Sequence, residues 1–238
     1  MPSAVKALFF DVFGTLVDWR TSVAREAEAI LKPRGYVLDC PKFADAWRGN
    51  YQGAMEKVRS GSVAFCKLDV LHRQNLESVL ADLKLSGLSE DVLRDLNLAW
   101  HRLDAWPDVT DALSRLRRRY LLAPLSNGNI SLMVGLARRN GFVWDAILGA
   151  EIAHDYKPQP RVYLAAAEAF DLAPRQCMMV AAHSSDLKAA AAVGFATAHI
   201  ARPNEAGPGK GEQGPDAKVV TVDIAAKDLG DLASQLGV

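Results

Sequence analysis

A carboxylate follows the first apolar run of the chain and has the chemistry of a nucleophile or an acid–base group. Asp11 comes directly after the run Val5–Phe10, and a Gly14–Thr15 turn follows it. If that run is a strand, its carboxyl end places Asp11 at the edge where open α/β sheets bind their ligands. The residue two places after Asp11 is Phe13, which carries no exchangeable side-chain proton. A reaction at Asp11 must therefore proceed without an acid at position 13.

Polar residues follow three later apolar runs in the same way. One run ends in Ser126 and Asn127, the segment after another contains Lys157, and a third precedes His183 and Asp186. A doubly wound sheet gathers the carboxyl ends of its strands at one edge. We therefore expect one pocket that holds two carboxylates, an ammonium group, a hydroxyl and an amide.

The elements that position these residues alternate between short apolar runs and helix-length segments. This alternation predicts an α/β fold with a Rossmann-like, doubly wound parallel sheet. Pro124 falls inside the second run and cannot donate a ladder hydrogen bond, so a local bulge is expected there. The Gly- and Pro-rich stretch from Pro203 to Pro215 predicts a mobile surface loop. The predicted strands are Val5–Phe10, Leu121–Leu125, Ala146–Gly149, Met178–Ala182, Ala196–Ile200 and Val219–Val222, and helices are predicted at Asp111–Arg119 and Val162–Phe170.

The stretch from Thr21 to Leu98 lacks strand patterns and carries amphipathic repeats instead. Ser89 is a candidate N-cap, and Val92 and Leu96 then repeat at helical spacing. Because this insertion follows the first strand, we expect it to stand over the ligand-binding edge of the sheet. The predicted domains are a helical cap, or lid, over residues 19–100 and a catalytic core formed by residues 1–18 and 101–238.

Composition excludes some classes of partner. The 238 residues contain 28 basic and 28 acidic side chains, so the net charge is zero and non-specific nucleic-acid binding is disfavoured. No apolar run approaches the roughly 20 residues of a membrane span, and the N-terminus lacks the pattern of a signal peptide. We expect a cytoplasmic protein without nucleic-acid or membrane partners.

Taken together, these motifs resemble the haloacid dehalogenase superfamily, and specifically its L-2-haloacid dehalogenases (type II haloacid dehalogenases). The likeness extends over nearly the whole chain. It implies hydrolysis of small L-2-haloacids, such as haloacetate and 2-halopropionate, to 2-hydroxy acids and halide through an aspartyl ester. It also implies a homodimer without a cofactor. The motifs that carry the resemblance are Asp11–Leu16, Trp47–Arg48, Leu125–Gly128, Tyr156–Pro158, Arg161–Tyr163 and Asp186.

Two positions favour dehalogenation over phosphate hydrolysis. Superfamily phosphatases resemble an Asp-x-Asp pattern whose second acid protonates the leaving alkoxide, and here that position is Phe13. Their fourth strand supplies two acids for Mg²⁺, and here the first is Ala182. A metal-free site is therefore expected, in which Lys157 offsets the charge of Asp11. A metal-dependent phosphatase or phosphonate hydrolase, and a catalytically silent binding protein, remain the alternatives.

The resemblance implies catalytic roles for five residues. Asp11 is the nucleophile that attacks the halogen-bearing carbon. Lys157 keeps the pKa of Asp11 low through its positive charge. Thr15 and Ser126 orient the nucleophile, and Asp186 positions or deprotonates the hydrolytic water.

The resemblance also implies a substrate-binding set. The amides of Val12 and Phe13, together with Ser126 and Asn127, would bind the substrate carboxylate. Arg48 would meet the departing halide. Tyr163 is included in this set, with packing against the Lys157 loop as its alternative role.

One stretch departs from the family pattern of Ser-Ser-Asn-x-Trp-Asp. This chain has Ala181, Ala182, His183 and Ser185 at the first, second, third and fifth of those positions. His183 is therefore expected either to activate water or to contact the intermediate. A reshaped pocket would also suit a small halide, which extends the expected substrates to fluoroacetate.

Overall fold

A parallel sheet of six strands lies at the centre of the molecule, whose computed structural model describes residues 5–238. The six strands lie in the order β5-β4-β1-β6-β7-β8. Strand β1 is therefore flanked by β4 and β6, and all neighbouring strands run parallel. In chain order, the strands within the described residues are β1 (Ala7–Phe10), β2 (Val17–Asp18), β3 (Asp104–Ala105), β4 (Leu121–Ser126), β5 (Leu148–Gly149), β6 (Cys177–Ala181), β7 (Ala196–Ile200) and β8 (Ile224–Ala226).

Helices cover both faces of this sheet. Successive residues of β1 face opposite sides, so Leu8 and Phe10 pack into one apolar cluster while Ala7 and Phe9 pack into the other. The predicted α/β fold with a parallel sheet is confirmed. The α-helices are α1 (Trp19–Leu31), α2 (Cys40–Gly49), α3 (Tyr51–Arg59), α4 (Leu68–Asp82), α5 (Glu90–Asn97), α6 (Val109–Leu116), α7 (Ile130–Asn140), α8 (Ala150–Ala153), α9 (Pro160–Ala169), α10 (Ser184–Ala192) and α11 (Leu229–Gln235).

Five of the predicted strands are present, Ala196–Ile200 with the predicted ends and the other four with shifted ends, and the sixth prediction, Val219–Val222, is wrong. The main chain at Val219 is closed into a turn by its hydrogen bond to the carbonyl of Asp216. The carboxylate of Asp223 then accepts from the N–H of Thr197, on the neighbouring strand β7. The ladder with β7 therefore begins only at Ile224, which pairs with Ala198.

The expected bulge at Pro124 is also absent from the sheet. Phe10 pairs with Pro124 in an uninterrupted register between β1 and β4. Leu122, two residues earlier, directs its N–H away from β1 toward the carboxylate of Asp145. By the alternation of a strand, the nitrogen of Pro124 faces the same way, on the side where pairing with β5 begins only at Leu125.

Helices α1 to α5 form the insertion between β2 and β3. These two short strands pair antiparallel, Val17 with Ala105, and so bring the two ends of the insertion together. Ser89 caps α5 by accepting from the N–H of Val92, as the sequence predicts. The domain boundaries at residues 18 and 100 remain a prediction, and residues 1–4 of the predicted core lie outside the described residues.

The segment 201–215, which follows β7, is irregular as predicted but docks against the core through inward-facing side chains. Arg202 donates to the carbonyl of Thr15 at 2.9 Å and pairs through both terminal nitrogens with Asp108 at 2.8 Å. Glu212 accepts from the main-chain N–H of Ser184, which begins α10. The segment is therefore tied to the carboxyl edge of the sheet and is not simply a surface loop.

Candidate active site

Asp11 lies just beyond the carboxyl end of β1 with both carboxylate oxygens hydrogen-bonded. Oδ1 accepts from Nζ of Lys157 at 2.9 Å. Oδ2 accepts from the hydroxyl of Thr15 at 2.7 Å and lies 3.1 Å from Nδ1 of His183. The Thr15 hydroxyl itself accepts from the N–H of Ala182, so its single proton is left for Asp11. The turn after β1 thus holds the carboxylate in one orientation.

Lys157 joins Asp11 to a second buried carboxylate. Its Nζ lies 2.9 Å from Asp11 and 2.5 Å from Oδ2 of Asp186. The other oxygen of Asp186 accepts from the hydroxyl of Tyr163 at 2.5 Å. The main chain of Lys157 is fixed as well, because its N–H donates to Oδ1 of Asn127 at 2.8 Å. The ammonium group therefore bridges two carboxylates from different strand ends.

These neighbours set the charge states. Burial raises the pKa of Asp11, but the positive charge of Lys157 and the hydrogen bond from His183 outweigh it and hold that pKa below its ordinary value. Burial lowers the pKa of Lys157, yet its two carboxylate partners leave it above the usual value. Burial and the charge of Asp11 raise the pKa of Asp186. Of the two carboxylates, Asp11 is thus the one held more firmly in its ionised form.

His183 extends this chain of charges to a carboxylate from the 201–215 segment. Its Nε2 lies 2.8 Å from Oε2 of Glu205, whose other oxygen accepts from the indole N–H of Trp19 at 3.1 Å. Burial opposes the charge of His183, but the hydrogen bonds that the ring donates to its two carboxylate neighbours raise its pKa to about 10. Gly14 makes room for this contact, because a Cβ there would overlap the Glu205 carboxylate. His183 is therefore an imidazolium between two carboxylates.

Arg48 enters the same site from α2. Its guanidinium carbon lies 4.0 Å from the ring centroid of Tyr51, with Trp19 at 5.5 Å and Phe13 at 5.7 Å. Aromatic faces attract such a cation. Its Nη1 is buried and has no hydrogen-bond partner among residues 5–238. An unpaired buried donor is costly, so this atom is suited to receive an anion.

The predicted site residues surround one cavity of about 370 Å³. Three of the predicted residues do not line the cavity and are fully buried: Thr15, Ser126 and Tyr163. Val12 begins the turn that follows Asp11. The hydroxyl of Ser126 accepts from the N–H of Gly128 at 3.0 Å, a contact within its own turn. The predicted residues that line the cavity directly are Asp11, Phe13, Arg48, Asn127, Lys157, His183 and Asp186.

Sequence reasoning missed Glu205. Its segment carries Gly and Pro residues and no periodic pattern, and its contact with Trp19 joins positions 186 residues apart. A carboxylate next to a histidine is an informative pair only once the fold has brought them together. The sequence offered no local signal for it.

The charge balance at Asp11 bears on the phosphatase alternative. Lys157 already places a cation between Asp11 and Asp186. Ala182, which stands where a phosphatase has its first metal-binding acid, contributes a main-chain N–H to Thr15 instead. Within residues 5–238, no group of three or more His, Cys, Asp or Glu side chains has the arrangement of a metal site. The residues present thus support charge balance by an amine.

Known proteins share both the sequence and the fold of this chain. A family model for haloacid dehalogenase-like hydrolases matches residues 5–194. The (S)-2-haloacid dehalogenase 1 of Pseudomonas sp. (strain CBS-3) is 30% identical over 206 residues, which cover 84% of this chain and 86% of that protein.

Solved structures extend the comparison over almost the full length. A defluorinating L-2-haloacid dehalogenase superposes with a TM-score of 0.95 at 41% identity, covering 98% of this chain and 96% of that one. Another L-2-haloacid dehalogenase superposes with a TM-score of 0.90 at 44% identity, covering 98% of both chains. The resemblance inferred from the motifs is confirmed. The chain therefore belongs to the haloacid dehalogenase-like hydrolases and, within them, to the L-2-haloacid dehalogenase subfamily of enzymes.

Proposed function

We propose that this protein hydrolyses small L-2-haloacids, such as haloacetate and 2-halopropionate, to 2-hydroxy acids and halide. One observation carries the proposal: the ionised carboxylate of Asp11 faces a cavity and is balanced by the ammonium of Lys157 at 2.9 Å. Family membership supports the same chemistry. A carboxylate in this state is a nucleophile that needs no further activation.

The first step is an in-line displacement. An oxygen of Asp11 attacks the α-carbon of the substrate, an ester bond forms, and the carbon–halogen bond breaks with inversion. Halide is a weak base and leaves without a proton, which agrees with Phe13 at the position where a phosphatase has its acid. The departing halide would be received by Nη1 of Arg48, a buried donor still without a partner among the described residues.

The substrate carboxylate needs donors on the opposite side of the cavity. Asn127 gives its carbonyl oxygen to the N–H of Lys157, so its side-chain NH₂ remains available to donate. We assign this group, the hydroxyl of Ser126 and the main-chain N–H groups of Val12 and Phe13 to that carboxylate. These donors would orient the α-carbon toward Asp11.

The second step is hydrolysis of the ester. Water attacks the carbonyl carbon of the Asp11 side chain, and the bond to the alkyl oxygen breaks to release the 2-hydroxy acid. Thr15 and Lys157 donate to the Asp11 oxygens, where negative charge develops during this attack. Asp186 and Tyr163 would hold Lys157 in place for both steps and so position the hydrolytic water beside it.

The substitution Asp11→Asn tests this proposal. We expect chloride release from chloroacetate to fall by more than about 10³-fold, because the nucleophile is lost. Asp82→Asn, at an exposed position of α4, is the matched control and should retain wild-type chloride release. Unchanged chloride release from the Asp11 variant would remove the assigned nucleophile. Mg²⁺-dependent release of phosphate from a generic phosphate ester, without chloride release from chloroacetate, would favour the phosphatase alternative.

We also propose that the substrates include fluoroacetate. A 41%-identical relative of known structure is described as defluorinating. The ring centroids of Phe13, Trp19 and Tyr51 lie within 5.7 Å of the Arg48 guanidinium carbon, surroundings that would suit a small halide. The same assay with fluoroacetate and a fluoride electrode should detect fluoride release. Chloride release from chloroacetate without fluoride release from fluoroacetate would restrict the enzyme to heavier halides.

A further inference from the structure

We propose that Glu205 is a positioning residue which, by holding Nε2 of His183 at 2.8 Å, makes His183 the base for hydrolysis of the Asp11 ester. The two side chains come from segments 22 residues apart and meet beside the nucleophile. This inference rests on the ester route proposed above and assigns the group that takes the proton of water.

In the resting enzyme His183 has no free lone pair. Nδ1 lies 3.1 Å from Asp11 Oδ2, and Nε2 lies 2.8 Å from Glu205 Oε2. An imidazole with a carboxylate at each nitrogen donates through both and is positively charged. In this state the ring stabilises the Asp11 carboxylate and cannot accept a proton.

Formation of the ester changes only one side of the ring. Asp11 loses its negative charge, whereas Glu205 keeps its charge and its hydrogen bond to Nε2. The proton on Nδ1 has then lost the carboxylate that held it and passes to solvent. The remaining tautomer carries its proton on Nε2, and its Nδ1 lone pair faces the side chain of Asp11. Glu205 thus fixes the tautomer of the base, as the carboxylate of a serine-protease triad does.

The proton balance then closes over one turnover. Water bonds to the ester carbon while His183 Nδ1 takes one of its protons and the carbonyl electrons move to oxygen. When the carbonyl re-forms, the bond to the alkyl oxygen breaks and that oxygen takes the proton from Nδ1. The new acid group on Asp11 gives its proton to Nδ1, which restores the imidazolium and the carboxylate. The one proton lost to solvent accounts for the H⁺ that accompanies the halide.

Asp186, the other candidate for this role, is less available. Its two oxygens already accept from Lys157 and Tyr163, both at 2.5 Å. Glu205 is instead held on one oxygen by Trp19 and presents the other to His183. The hydrogen bond to Trp19 therefore fixes the Glu205 carboxylate in the position from which it contacts His183.

The pH behaviour of His183 depends on every group packed around it. Asp11 at the end of β1 and Glu205 of the 201–215 segment contact the ring directly. His199 on β7 interacts electrostatically with His183, and burial lowers the pKa of His199. Lys157 and Arg48 act on His183 indirectly, through the charges of Asp11 and Glu205. Of these groups, ester formation alters the charge of Asp11 alone.

The test is a single turnover of chloroacetate by excess enzyme, with mass spectrometry of the peptide that bears Asp11. For Glu205→Gln we expect chloride release within a few-fold of wild type and an accumulated ester that hydrolyses about 100-fold more slowly. Glutamine can still accept from Trp19, so the segment should stay docked. The exposed Glu168→Gln on α9 is the control and should hydrolyse its ester as wild type does. His183→Gln should accumulate the same ester, which keeps the test decisive if the first variant folds poorly.

A pH profile separates the charge of Glu205 from a merely structural role. His183 acts as a base only when it is deprotonated, and the negative charge of Glu205 raises the pKa of His183. Removal of that negative charge should therefore shift the acidic limb of the pH profile of ester hydrolysis to lower pH. Ester hydrolysis at the wild-type rate in Glu205→Gln, or an unshifted limb, would overturn the inference. Failure of the ester route itself can be distinguished from failure of this inference. If no ester forms on Asp11, the wild-type enzyme will show no ¹⁸O from labelled water in Asp11 after many turnovers.

Discussion

At the scale of single residues, the site is a row of alternating charges. Glu205, His183, Asp11, Lys157 and Asp186 follow one another with contacts of 2.8, 3.1, 2.9 and 2.5 Å. Buried charges are costly unless each is paired and hydrogen-bonded, and in this row every charge has an opposite neighbour. The lowered pKa of Asp11 results from its place between two cations. The row therefore explains why a buried aspartate remains ionised, as the proposed role of a nucleophile requires.

Arg48 lies beside this row and provides the prediction at this scale. Arg48→Lys should reduce the rate of halide release about 100-fold, because an ammonium group cannot stack on Tyr51 or place a donor where Nη1 lies. Stopped-flow chloride release under single-turnover conditions measures this step. Arg94→Lys, which alters an exposed pair with Asp91 on helix α5 of the insertion, serves as the control. Equal rates for the Arg48 variant and wild type would remove Arg48 from the halide site.

At the scale of elements, the strand ends were predictable and the 201–215 segment was not. Asp11, Ser126 and Asp186 each follow a buried apolar run, and a parallel sheet must gather such ends at one edge. The contacts of Glu205 depend on how an irregular segment folds back over β1, for which the sequence carries no periodicity. The last strand was misplaced for a similar reason, because the contact of Asp223 with Thr197 that delays it is a tertiary one.

The insertion is tied to the loop between β4 and α7 by a second element-scale contact. Asp69 at the start of α4 accepts from Asn129 at 2.9 Å and lies 3.1 Å from Nε2 of His101. In return, the main-chain N–H of Asp69 donates to Oδ1 of Asn129 at 3.3 Å. Asn129 follows the Ser126–Gly128 turn, so this contact couples the position of the insertion to the turn at the end of β4.

Asp69→Ala should therefore lower the free energy of unfolding by about 2 kcal/mol, because partly buried donors on Asn129 and His101 lose their acceptor. Urea denaturation followed by circular dichroism provides the measurement. Asp82→Ala, an exposed change in the same helix, should shift stability by less than about 0.5 kcal/mol. Equal stabilities for the two variants would show that the Asp69 contact does not hold the insertion in place.

At the scale of the whole molecule, composition limited the classes of partner, and membership of the family indicated the class of reaction. The net charge of zero disfavours non-specific binding to a polyanion. Within residues 5–238, no helix has both the length and the apolar character needed to cross a membrane. The α/β class followed from alternating runs, whereas the subfamily depended on a few positions, notably Phe13 and Ala182. The part of the mechanism that depends on Glu205 required the folded chain.

The central claim, that Asp11 itself forms the ester, is tested most directly by one turnover of chloroacetate by excess enzyme in ¹⁸O-labelled water. Water that attacks the side-chain carbonyl carbon leaves its oxygen on Asp11, so the account predicts label in the peptide that bears Asp11 and unlabelled glycolate. Label in the glycolate, with none on Asp11, would mean that water displaces the halide directly and would contradict the account.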